Sequence, residues 1–470
     1  MLMIKIIINK YFSDIRFWIF IFFIVRLFSI TQPPLEISHN WRQVTGNMIT
    51  RNFLEVNNNI MYPQLDNGGS TSGITGTEFP LLNYLYYIFS LLFGFNHWWG
   101  RLINLTVSSF GVYYFFLLLK KFTEEKIAFF GTITLLCSAW FLFMRKSMPD
   151  TFSTSLIIIG IYYGILFLFE NRYKYLAISS FLILAGTLSK IPAACLLAVF
   201  TIPYLNNKIA LKNKIFFAFS ICFAMMPVAF WYFYWVPHLV TLSGFWHYFM
   251  GVPITTGAKE LWEFRSNAFE NFYFHANYFS GFILFIIGIL LSIKNKYRLL
   301  YMITLICSIS FFIIMLKGGK TFALHSYYMI PFIPVMSLNI GYALTKIPVK
   351  FQRFIFAILI IENIANQQHD LFTKDSEIYK LKLEKIADKV SSKNNLIAIN
   401  GTMNPQEIYF AHRKGWTIYD VEALRKSFTD SLKIQGCRYL FIDKHSLSTP
   451  IIYYKKIFDD KDFSVYNLSP

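Results

Sequence analysis

Carboxylates, cations and a histidine are concentrated in one polar stretch of this chain, which runs from Glu36 to Glu78. The stretch begins Glu-Ile-Ser-His-Asn-Trp-Arg-Gln at 36–43, just after a Pro-Pro pair. A carboxylate that is partly removed from water can take a proton from a hydroxyl and so act as a general base. Glu36 is therefore a candidate catalytic residue. An ordinary solvated glutamate in a loop fits the same sequence, and both interpretations stay open.

Glu78 is a second candidate, because it precedes Phe-Pro and a run of aromatic residues. A carboxylate in such apolar surroundings is costly without a cation or a metal ion beside it. A salt bridge to Arg42 or Arg51 explains its presence as well as a catalytic role does. Glu78 and His39 are also the candidate ligands for a divalent ion, and the sequence leaves the presence of a metal open.

Two further polar groups follow later in the chain. Asp150 lies in Arg-Lys-Ser-Met-Pro-Asp-Thr at 145–151 and is a third candidate for catalysis. A carboxylate after Pro also suits the first turn of a helix, where unpaired amides meet it, so capping explains Asp150 equally well. The second group combines cations and phenols that suit a lipid phosphate, although lysines and tyrosines at any membrane interface look the same. It comprises Lys317, Lys320, His325, Tyr327 and Tyr328.

The elements that must position these residues are helices in a membrane. Of the 470 residues, 55% are hydrophobic, 19% are aromatic and only 15% are charged, which excludes an ordinary soluble domain. Apolar runs of about 17–25 residues form helices in lipid, because the backbone must satisfy its own hydrogen bonds there. We predict an all-α polytopic membrane protein with about eleven spans, at 13–31, 101–119, 127–144, 152–169, 174–188, 191–206, 215–236, 276–293, 299–316, 326–345 and 353–367.

Basic residues between the predicted spans are alternately dense and sparse. Positively charged loops stay in the cytoplasm, so the pattern predicts an inner-membrane protein with a cytoplasmic N-terminus and an outer, periplasmic C-terminus. The polar stretch then belongs to a long outer loop, 32–100. Most of the net charge of +18 comes from loop anchors, which argues against nucleic acid as a partner. The predicted anchors are Lys5, Lys10, Arg16, Lys120, Lys121, Lys126, Arg172, Lys174, Lys208, Lys212, Lys214, Lys294, Lys296, Arg298, Lys346, Lys350 and Arg353.

The composition changes after about residue 373. From 374 to 470 the chain carries sixteen Lys and Arg and twelve Asp and Glu, which is typical of a water-soluble domain. Short apolar runs at 396–399 and 438–442 predict buried strands, and 377–390, 405–413 and 421–435 predict helices. We therefore predict two domains, a transmembrane domain at 1–373 and a small periplasmic α/β domain at 374–470. Neither a phosphate-binding glycine loop nor a nucleophile is visible in the second.

Seven short blocks between about residues 36 and 335 carry a family resemblance when they are taken together. They read His-Asn-Trp-Arg-Gln, Arg-Asn-Phe, Tyr-Pro-Gln, Gly-Thr-Glu-Phe-Pro-Leu-Leu-Asn-Tyr-Leu, Arg-Leu-Ile-Asn-Leu, Met-Pro-Asp-Thr and His-Ser-Tyr-Tyr-Met-Ile-Pro. The set resembles the glycosyltransferase C superfamily, in particular the dolichyl-phosphate-mannose protein mannosyltransferases and the bacterial aminoarabinose transferases of lipid A. Each block alone is weak, whereas the combination is specific.

The resemblance implies a transferase that works outside the cytoplasm, where the sugar donor is a polyprenyl phosphate sugar and the lipid phosphate is the leaving group. Its acidic positions fall on Glu36, Glu78 and Asp150. Relatives usually carry Asp at the first of these, often as Asp-Glu, whereas this chain has Leu-Glu-Ile-Ser. The departure leaves Asp66 or Glu78 as other candidates for the base.

The implied reaction is a single inverting displacement in cell-surface glycan or lipopolysaccharide assembly. Glu36 would deprotonate a hydroxyl of a glycan, lipid or protein acceptor, and Arg42, Lys317, Lys320 and His325 would hold the charge of the leaving phosphate. Glu78 and Asp150 would orient the acceptor or, with His39, hold a divalent ion.

Two other functions fit parts of the sequence. A transporter or lipid flippase would bury ionisable groups near the membrane midplane, whereas the predicted spans here are almost free of charge at their centres. A polymerase of surface polysaccharides would share the lipid-linked donor, but its large loop would be expected later in the chain. The enzyme is the favoured interpretation, with the flippase as its alternative.

Overall fold

The computed structural model of the protein describes residues 12–243, 251–449 and 451–468. Two of the predicted loop anchors, Lys5 and Lys10, lie outside these ranges. The chain forms two compact units. The helical unit comprises Met1–Ile30, Gly100–Tyr232 and Phe249–Leu371, and the mixed unit comprises Thr31–Trp99, Phe233–Tyr248 and Phe372–Pro470.

Helices make up most of the chain. In chain order the α-helices and strands are α1 (Ile15–Leu27), α2 (Asn40–Glu55), α3 (Leu81–Phe93), α4 (Trp99–Phe122), α5 (Glu125–Cys137), α6 (Trp140–Phe143), α7 (Pro149–Glu170), α8 (Tyr173–Ser189), α9 (Thr201–Tyr204), α10 (Leu211–Ala229), α11 (Val236–Ser243), α12 (Ile254–Glu263), α13 (Arg265–Glu270), α14 (Tyr278–Lys294), α15 (Arg298–Gly318), α16 (Lys320–Leu324), α17 (Ile333–Lys346), α18 (Val349–Gln367), α19 (Leu383–Val390), β1 (Leu396–Asn400), α20 (Gln406–Ala411), β2 (Gly415–Ile418), α21 (Asp420–Ala423), α22 (Lys426–Ile434), β3 (Cys437–Asp443), β4 (Lys455–Asp459) and β5 (Phe463–Asn467).

Several helical segments depart from α geometry. The 3₁₀ helices are Ile191–Phe200, Ser326–Met329, Gln368–Leu371 and Asp375–Lys382, and the π-helices are Phe230–Trp235 and Asn271–Ala276. The ten-residue 3₁₀ helix begins with Ile-Pro, where the missing amide of proline weakens an α-helical ladder. Three of these segments lie within predicted spans and change the pitch of helices that the sequence alone predicts as continuous: Ile191–Phe200, Phe230–Trp235 and Ser326–Met329.

Each of the eleven predicted spans is helical in the structure, but fewer helices qualify as spans by length and apolarity. Among the described residues, four do so alone, at Trp99–Phe122, Pro149–Glu170, Leu211–Ser243 and Arg298–Gly318. A fifth is counted if Arg265–Ala276 and Tyr278–Lys294, which meet at a 96° bend, form one span. The other segments are short or interrupted, so eleven remains a prediction. The helices establish a membrane location.

Close helix packing in the helical unit depends on small residues. A Cβ on Gly160 of α7 would lie 2.7 Å from Ile183 Cγ1 of α8, and one on Gly164 would lie 2.8 Å from Ser179 Oγ. The Ser179 hydroxyl donates to the Gly160 carbonyl at 2.7 Å. Glycines four residues apart thus bring the two backbones together, as in other membrane helix pairs.

The mixed unit contains a five-stranded sheet of order β2-β1-β3-β5-β4. Strand β1 is parallel to β2 and β3, whereas β5 is antiparallel to β3 and β4. The predicted strands at 396–399 and 438–442 are confirmed as β1 and β3. The other three strands were not predicted; β2 has only four residues and begins with glycine, and β4 is largely exposed.

The first loop and the C-terminal residues belong to the same compact unit. Lys374 donates its backbone amide to the Leu35 carbonyl at 2.8 Å, and Glu36 forms an isolated antiparallel bridge with Thr373. The Gln406 side chain donates to the Pro34 carbonyl at 3.3 Å. The predicted division into 1–373, with the loop 32–100, and 374–470 stays a prediction.

The Gly415→Ala variant is expected to be about 1–3 kcal/mol less stable than the Gly436→Ala variant. Both glycines have positive φ, at 148° and 100°, so alanine strains the backbone at each. A Cβ on Gly415 would also overlap the Ile397 carbonyl of β1, whereas one on Gly436 has its nearest neighbour at 3.7 Å. Thermal unfolding of the two variants measures the difference, and equal losses would contradict the close β1–β2 approach.

Candidate functional site

Each unit holds its own group of the predicted site residues. Glu36, His39, Arg42, Asp66 and Glu78 are in the mixed unit. The helical unit contains Asp150, Lys317, Lys320, His325, Tyr327 and Tyr328.

Two adjacent side chains in the first turn of α2 contact the carboxylates of Glu36 and Glu78. Gln43 donates its side-chain amide to Glu36 Oε2 at 2.9 Å. Arg42, the preceding residue of the helix, forms an ion pair with Glu78. Both carboxylates are buried, with 2% and 6% of each residue exposed. Consecutive residues of one helix therefore fix the two carboxylates that the sequence singled out.

Local backbone structure places Glu36 just before this helix. His39 precedes α2 in the left-handed region at φ 62°, and Asn40 donates its side-chain amide to the Glu36 carbonyl at 3.3 Å. A non-glycine residue with positive φ is uncommon and gives the chain a sharp reversal. The turn from 36 to 40 thus directs the Glu36 side chain toward Gln43 on the helix that follows.

Glu78 is oriented by two neighbours. Besides Arg42, the Thr77 hydroxyl donates to Glu78 Oε2 at 2.9 Å. The salt bridge to Arg42, one of the two explanations that the sequence left open, is present in the structure.

Asp66, another acid of the mixed unit, accepts hydrogen bonds from two side chains of α2. Its two carboxylate oxygens accept from Arg51 at 2.6 Å and from Asn52 at 2.8 Å. The Arg51 guanidinium lies 4.6 Å from the centroid of the Tyr409 ring. Burial alone would lower the pKa of Arg51, but Asp66, together with Tyr409 and Glu55, outweighs burial and raises it. The backbone carbonyl of Asp66 also accepts from the Gly415 amide at 2.9 Å.

The Arg51→Met variant is expected to lose about 3–5 kcal/mol of stability, because it leaves the buried Asp66 carboxylate without its cation. The paired variant Arg51→Met/Asp66→Leu removes both charges and is expected to recover most of that loss. Thermal unfolding of the purified protein measures both. An Arg51→Met protein as stable as the parent would show that the pair does not hold this loop in place.

Asp150 lies beside a lysine in the helical unit that the sequence analysis did not select. Lys190 Nζ is 3.7 Å from Asp150 Oδ1, and both side chains are almost fully buried. The same ammonium group lies 5.4 Å and 5.5 Å from the ring centroids of Tyr327 and Tyr328. The His325 ring stacks on Tyr327 at 5.3 Å. The structure therefore brings three of the predicted residues, Asp150, Tyr327 and Tyr328, together around Lys190, which was not predicted.

Three elements of the helical unit position this group. Asp150 is in the first turn of α7, directly after Pro149, so the capping explanation and a role in the site are compatible. Lys190 stands at the junction between α8 and the 3₁₀ helix that follows, and the tyrosines lie in the 3₁₀ helix Ser326–Met329. In the sequence, Lys190 is a charged residue between two apolar runs. Charged residues are costly in a membrane, so this position was the signal that could have identified Lys190 as a site residue.

Further buried cations lie in the helical unit. Lys146 Nζ is 2.6 Å from Asp370 Oδ2, with 2% and 0% of the two side chains exposed. Arg26 donates to the Phe141 carbonyl at 2.9 Å, and Arg145 donates to the Phe28 carbonyl at 2.9 Å. Backbone carbonyls and one carboxylate thus hold a group of buried positive charges, none of which the sequence analysis assigned to the site.

Lys317 and Lys320 are placed differently from the other cations that the sequence selected. Both side chains are exposed. Lys320 Nζ lies 5.0 Å above the Phe264 ring, and its backbone amide donates to Glu260 Oε2 at 2.8 Å. Their assignment to phosphate binding remains a prediction.

Metal binding was left open by the sequence. In the ranges that the structure describes, no three His, Cys, Asp or Glu side chains converge as metal ligands. Glu78, one of the two candidate ligands, has Arg42 as its ionic partner.

Comparison with known proteins agrees with this architecture. Residues 77–233 match the family model described as dolichyl-phosphate-mannose-protein mannosyltransferase. Among curated proteins, none matches the chain. The match to the family model covers about a third of the chain and includes Glu78 and Asp150.

Solved structures match over nearly the whole chain. ArnT from Cupriavidus metallidurans, bound to undecaprenyl phosphate, has a TM-score of 0.63 at 10% identity, covering 96% of this chain and 98% of that one. The Archaeoglobus fulgidus oligosaccharyltransferase in its apo form has a TM-score of 0.58 at 13% identity, covering 91% and 70%. AglB from the same archaeon, in complex with an inhibitory peptide and a dolichol-phosphate, has a TM-score of 0.55 at 12% identity, covering 91% and 69%. With the matching segment and the shared fold, the resemblance to the glycosyltransferase C superfamily seen in the sequence is confirmed.

Proposed function

We propose that this protein is a membrane glycosyltransferase that moves a sugar from a polyprenyl phosphate to an acceptor hydroxyl on the outer face of the inner membrane. The acceptor would be a glycan, lipid or protein in cell-surface glycan or lipopolysaccharide assembly. Two of the similar structures hold undecaprenyl phosphate or dolichol-phosphate, which supports a lipid-linked donor. The alternation of basic loops supports the outer orientation.

The observation that carries the proposal is the buried Glu36 carboxylate held by Gln43. A neutral hydroxyl is a poor nucleophile, and a carboxylate that is fixed and shielded from water can remove its proton as attack begins. Among the acids of the mixed unit, Asp66 is engaged by Arg51 and Asn52, and Glu78 by Arg42. Glu36 accepts a hydrogen bond from the neutral side-chain amide of Gln43.

The reaction is a single displacement at the anomeric carbon. The bond from that carbon to the phosphate oxygen breaks as the bond to the acceptor oxygen forms, and the acceptor proton goes to Glu36. Polyprenyl phosphate leaves with the electron pair of the broken bond. One displacement inverts the anomeric configuration, so the product has the opposite configuration to the donor.

The leaving phosphate needs positive charge rather than a strong acid, because phosphate is already a good leaving group. Lys190, buried beside two phenols and Asp150, is the group that we assign to this task in the helical unit. Cations in a site shielded from water stabilise developing negative charge far more than they do in water. His325, which stacks on Tyr327, lies at the exposed edge of the same group. Arg42 and Glu78 would orient the acceptor.

The proposal is tested by reconstituting the purified protein in vesicles and supplying polyprenyl phosphates that carry different hexoses and pentoses, with membrane extract as the source of acceptor. We expect sugar transfer with inversion, which NMR of the product detects. Transfer with retention would contradict the single displacement. Movement of intact lipid-linked sugar across the vesicle membrane, without cleavage, would show a flippase instead.

A further inference from the structure

An apolar cavity of about 260 Å³ lies inside the helical unit, away from the residues assigned to the reaction. Its walls come from α4, α7, the 3₁₀ helix Ile191–Phe200, α9, α15 and α17. The last turns of α4 and α7, the segment after α9, and the first turn of α15 all contribute to it, through Phe122, Phe169, Asn206 and Leu299. The cavity therefore lies at the end of the bundle where α4, α7 and the segment after α9 end and α15 begins.

The cavity has a closed apolar floor and an accessible mouth. Ile158, Leu196 and Cys307 line it and are buried, with 2%, 6% and 1% exposed. Phe169 at the other end is 47% exposed. A cavity lined in this way does not hold water, because water needs polar partners, and an apolar cavity of roughly 150 Å³ is already large enough to bind benzene. This larger one suits a length of hydrocarbon chain.

Cations surround the mouth. Lys121 immediately precedes the lining residue Phe122, Lys208 is two residues after Asn206, and Arg298 immediately precedes Leu299. All three side chains are exposed, and in the described ranges none of them forms an ion pair. Three separate chain segments thus each bring one solvent-facing positive charge to the same end of the cavity.

Acidic residues at this end offset only part of that charge. Glu125 pairs with Lys120, and Glu170 pairs with Arg172 at 3.6 Å. Glu124 is the remaining carboxylate beside a lining residue, Thr123. The mouth therefore keeps a net positive charge, which suits an anionic group at the membrane surface.

We propose that the cavity binds one acyl chain of an anionic phospholipid, whose phosphate lies among Lys121, Lys208 and Arg298. Hydrocarbon fills the buried floor, and the headgroup stays at the exposed mouth. The loops at this end are the ones that the charge pattern predicts to be cytoplasmic, and anionic lipid in that leaflet attracts basic segments. The site would hold the bundle at a fixed depth and keep its basic end inside.

This lipid is distinct from the sugar donor. Along α7, Phe169 at the mouth is nineteen residues from Asp150, a helical distance of roughly 28 Å. That distance is about the thickness of the hydrocarbon core of a bilayer. A phosphate at the mouth and a phosphate beside Lys190 therefore belong to two molecules, one for each face of the membrane.

The test uses the full-length protein in phosphatidylcholine vesicles that contain a phosphatidylglycerol probe with a photoreactive acyl chain. We expect crosslinks to peptides of α9 and α15 in the cavity wall. The Ile303→Phe variant, which fills the cavity, is expected to lose most of this labelling. Leu305→Phe is the matched control, because Leu305 is on the same helix, is 57% exposed and does not line the cavity.

The headgroup is tested with Lys121→Gln/Lys208→Gln/Arg298→Gln, which we expect to weaken labelling at least about 10-fold, given that each cation near an anionic surface contributes about 5-fold. The control triple Lys174→Gln/Lys294→Gln/Lys350→Gln removes the same charge elsewhere and is expected to retain labelling. Equal labelling by a phosphatidylcholine probe, no crosslinks in the cavity wall, or displacement by polyprenyl phosphate rather than phosphatidylglycerol would each overturn the proposal. None of these readouts depends on sugar transfer.

Discussion

Replacing Glu36 by Gln is expected to reduce sugar transfer by about 10²–10⁴-fold, the usual contribution of a general base. The amide cannot accept the acceptor proton, yet it has nearly the same size and can still take part in a hydrogen bond with Gln43. The fold should therefore be unchanged. The rate of transfer from a polyprenyl phosphate sugar, measured at saturating donor, checks the prediction.

Glu125→Gln is the matched control for this variant. Glu125 is an exposed carboxylate at the start of α5 whose partner is Lys120. Its replacement should leave the transfer rate within about twofold of the parent, since an exposed ion pair contributes little to stability. If Glu36→Gln and Glu125→Gln were equally active, Glu36 would not be the base, and Glu78 would have to be tested next.

The Lys190→Met variant is expected to lose about 10²–10³-fold in transfer rate, by analogy with the loss of one group that stabilises an oxyanion. It should also lose about 3–5 kcal/mol of stability, because the buried Asp150 carboxylate loses its cation. These two effects have different causes, and a single variant does not separate them. Transfer assays and thermal unfolding must therefore be carried out together.

A double variant makes the separation. Lys190→Met/Asp150→Asn has no uncompensated charge at this position, so its stability should return toward that of the parent while its transfer rate stays low. Lys126→Met is the control, since Lys126 is an exposed lysine in the first turn of α5. Recovery of transfer in the double variant would mean that Lys190 serves only to neutralise Asp150.

The sequence was most informative where chemistry and spacing coincide. Glu36 and Glu78 were selected as acids of one loop, and the structure holds both from the first turn of α2. The pairing of Glu78 with Arg42 was one of two explanations for a costly carboxylate beside an aromatic run. A buried acid needs a partner, and the aromatic run after Glu78 was the feature of the sequence that predicted one.

Residues that are far apart in sequence were harder to place. Lys190 and Asp150 are forty positions apart, and their approach depends on how α7 and α8 pack through Gly160 and Gly164. Asp66 looked like a possible base, but its role depends on Arg51 and on Tyr409 from a distant segment. Long-range contacts of this kind are set by tertiary packing, which hydropathy and spacing do not encode.

Secondary structure, too, was predictable where the local sequence determines it and was missed where tertiary packing does. Each predicted apolar run contains a helix, because the backbone N–H and C=O groups of a chain in lipid must form hydrogen bonds within the chain. The 3₁₀ segment at Ile191–Phe200 and the 96° bend before Tyr278 were not foreseen. Strand β2 was also missed, since its four residues are stabilised mainly by pairing with β1.

The most direct test of the account measures both products of the reaction in one vesicle preparation. Purified protein, polyprenyl phosphate sugar and acceptor are incubated, and free polyprenyl phosphate and glycosylated acceptor are quantified together by mass spectrometry. We expect them to appear in equal amounts with the parent protein and to fall together by at least about 10²-fold with Glu36→Gln. Glycosylated acceptor without release of polyprenyl phosphate, or undiminished release by the variant, would contradict the account.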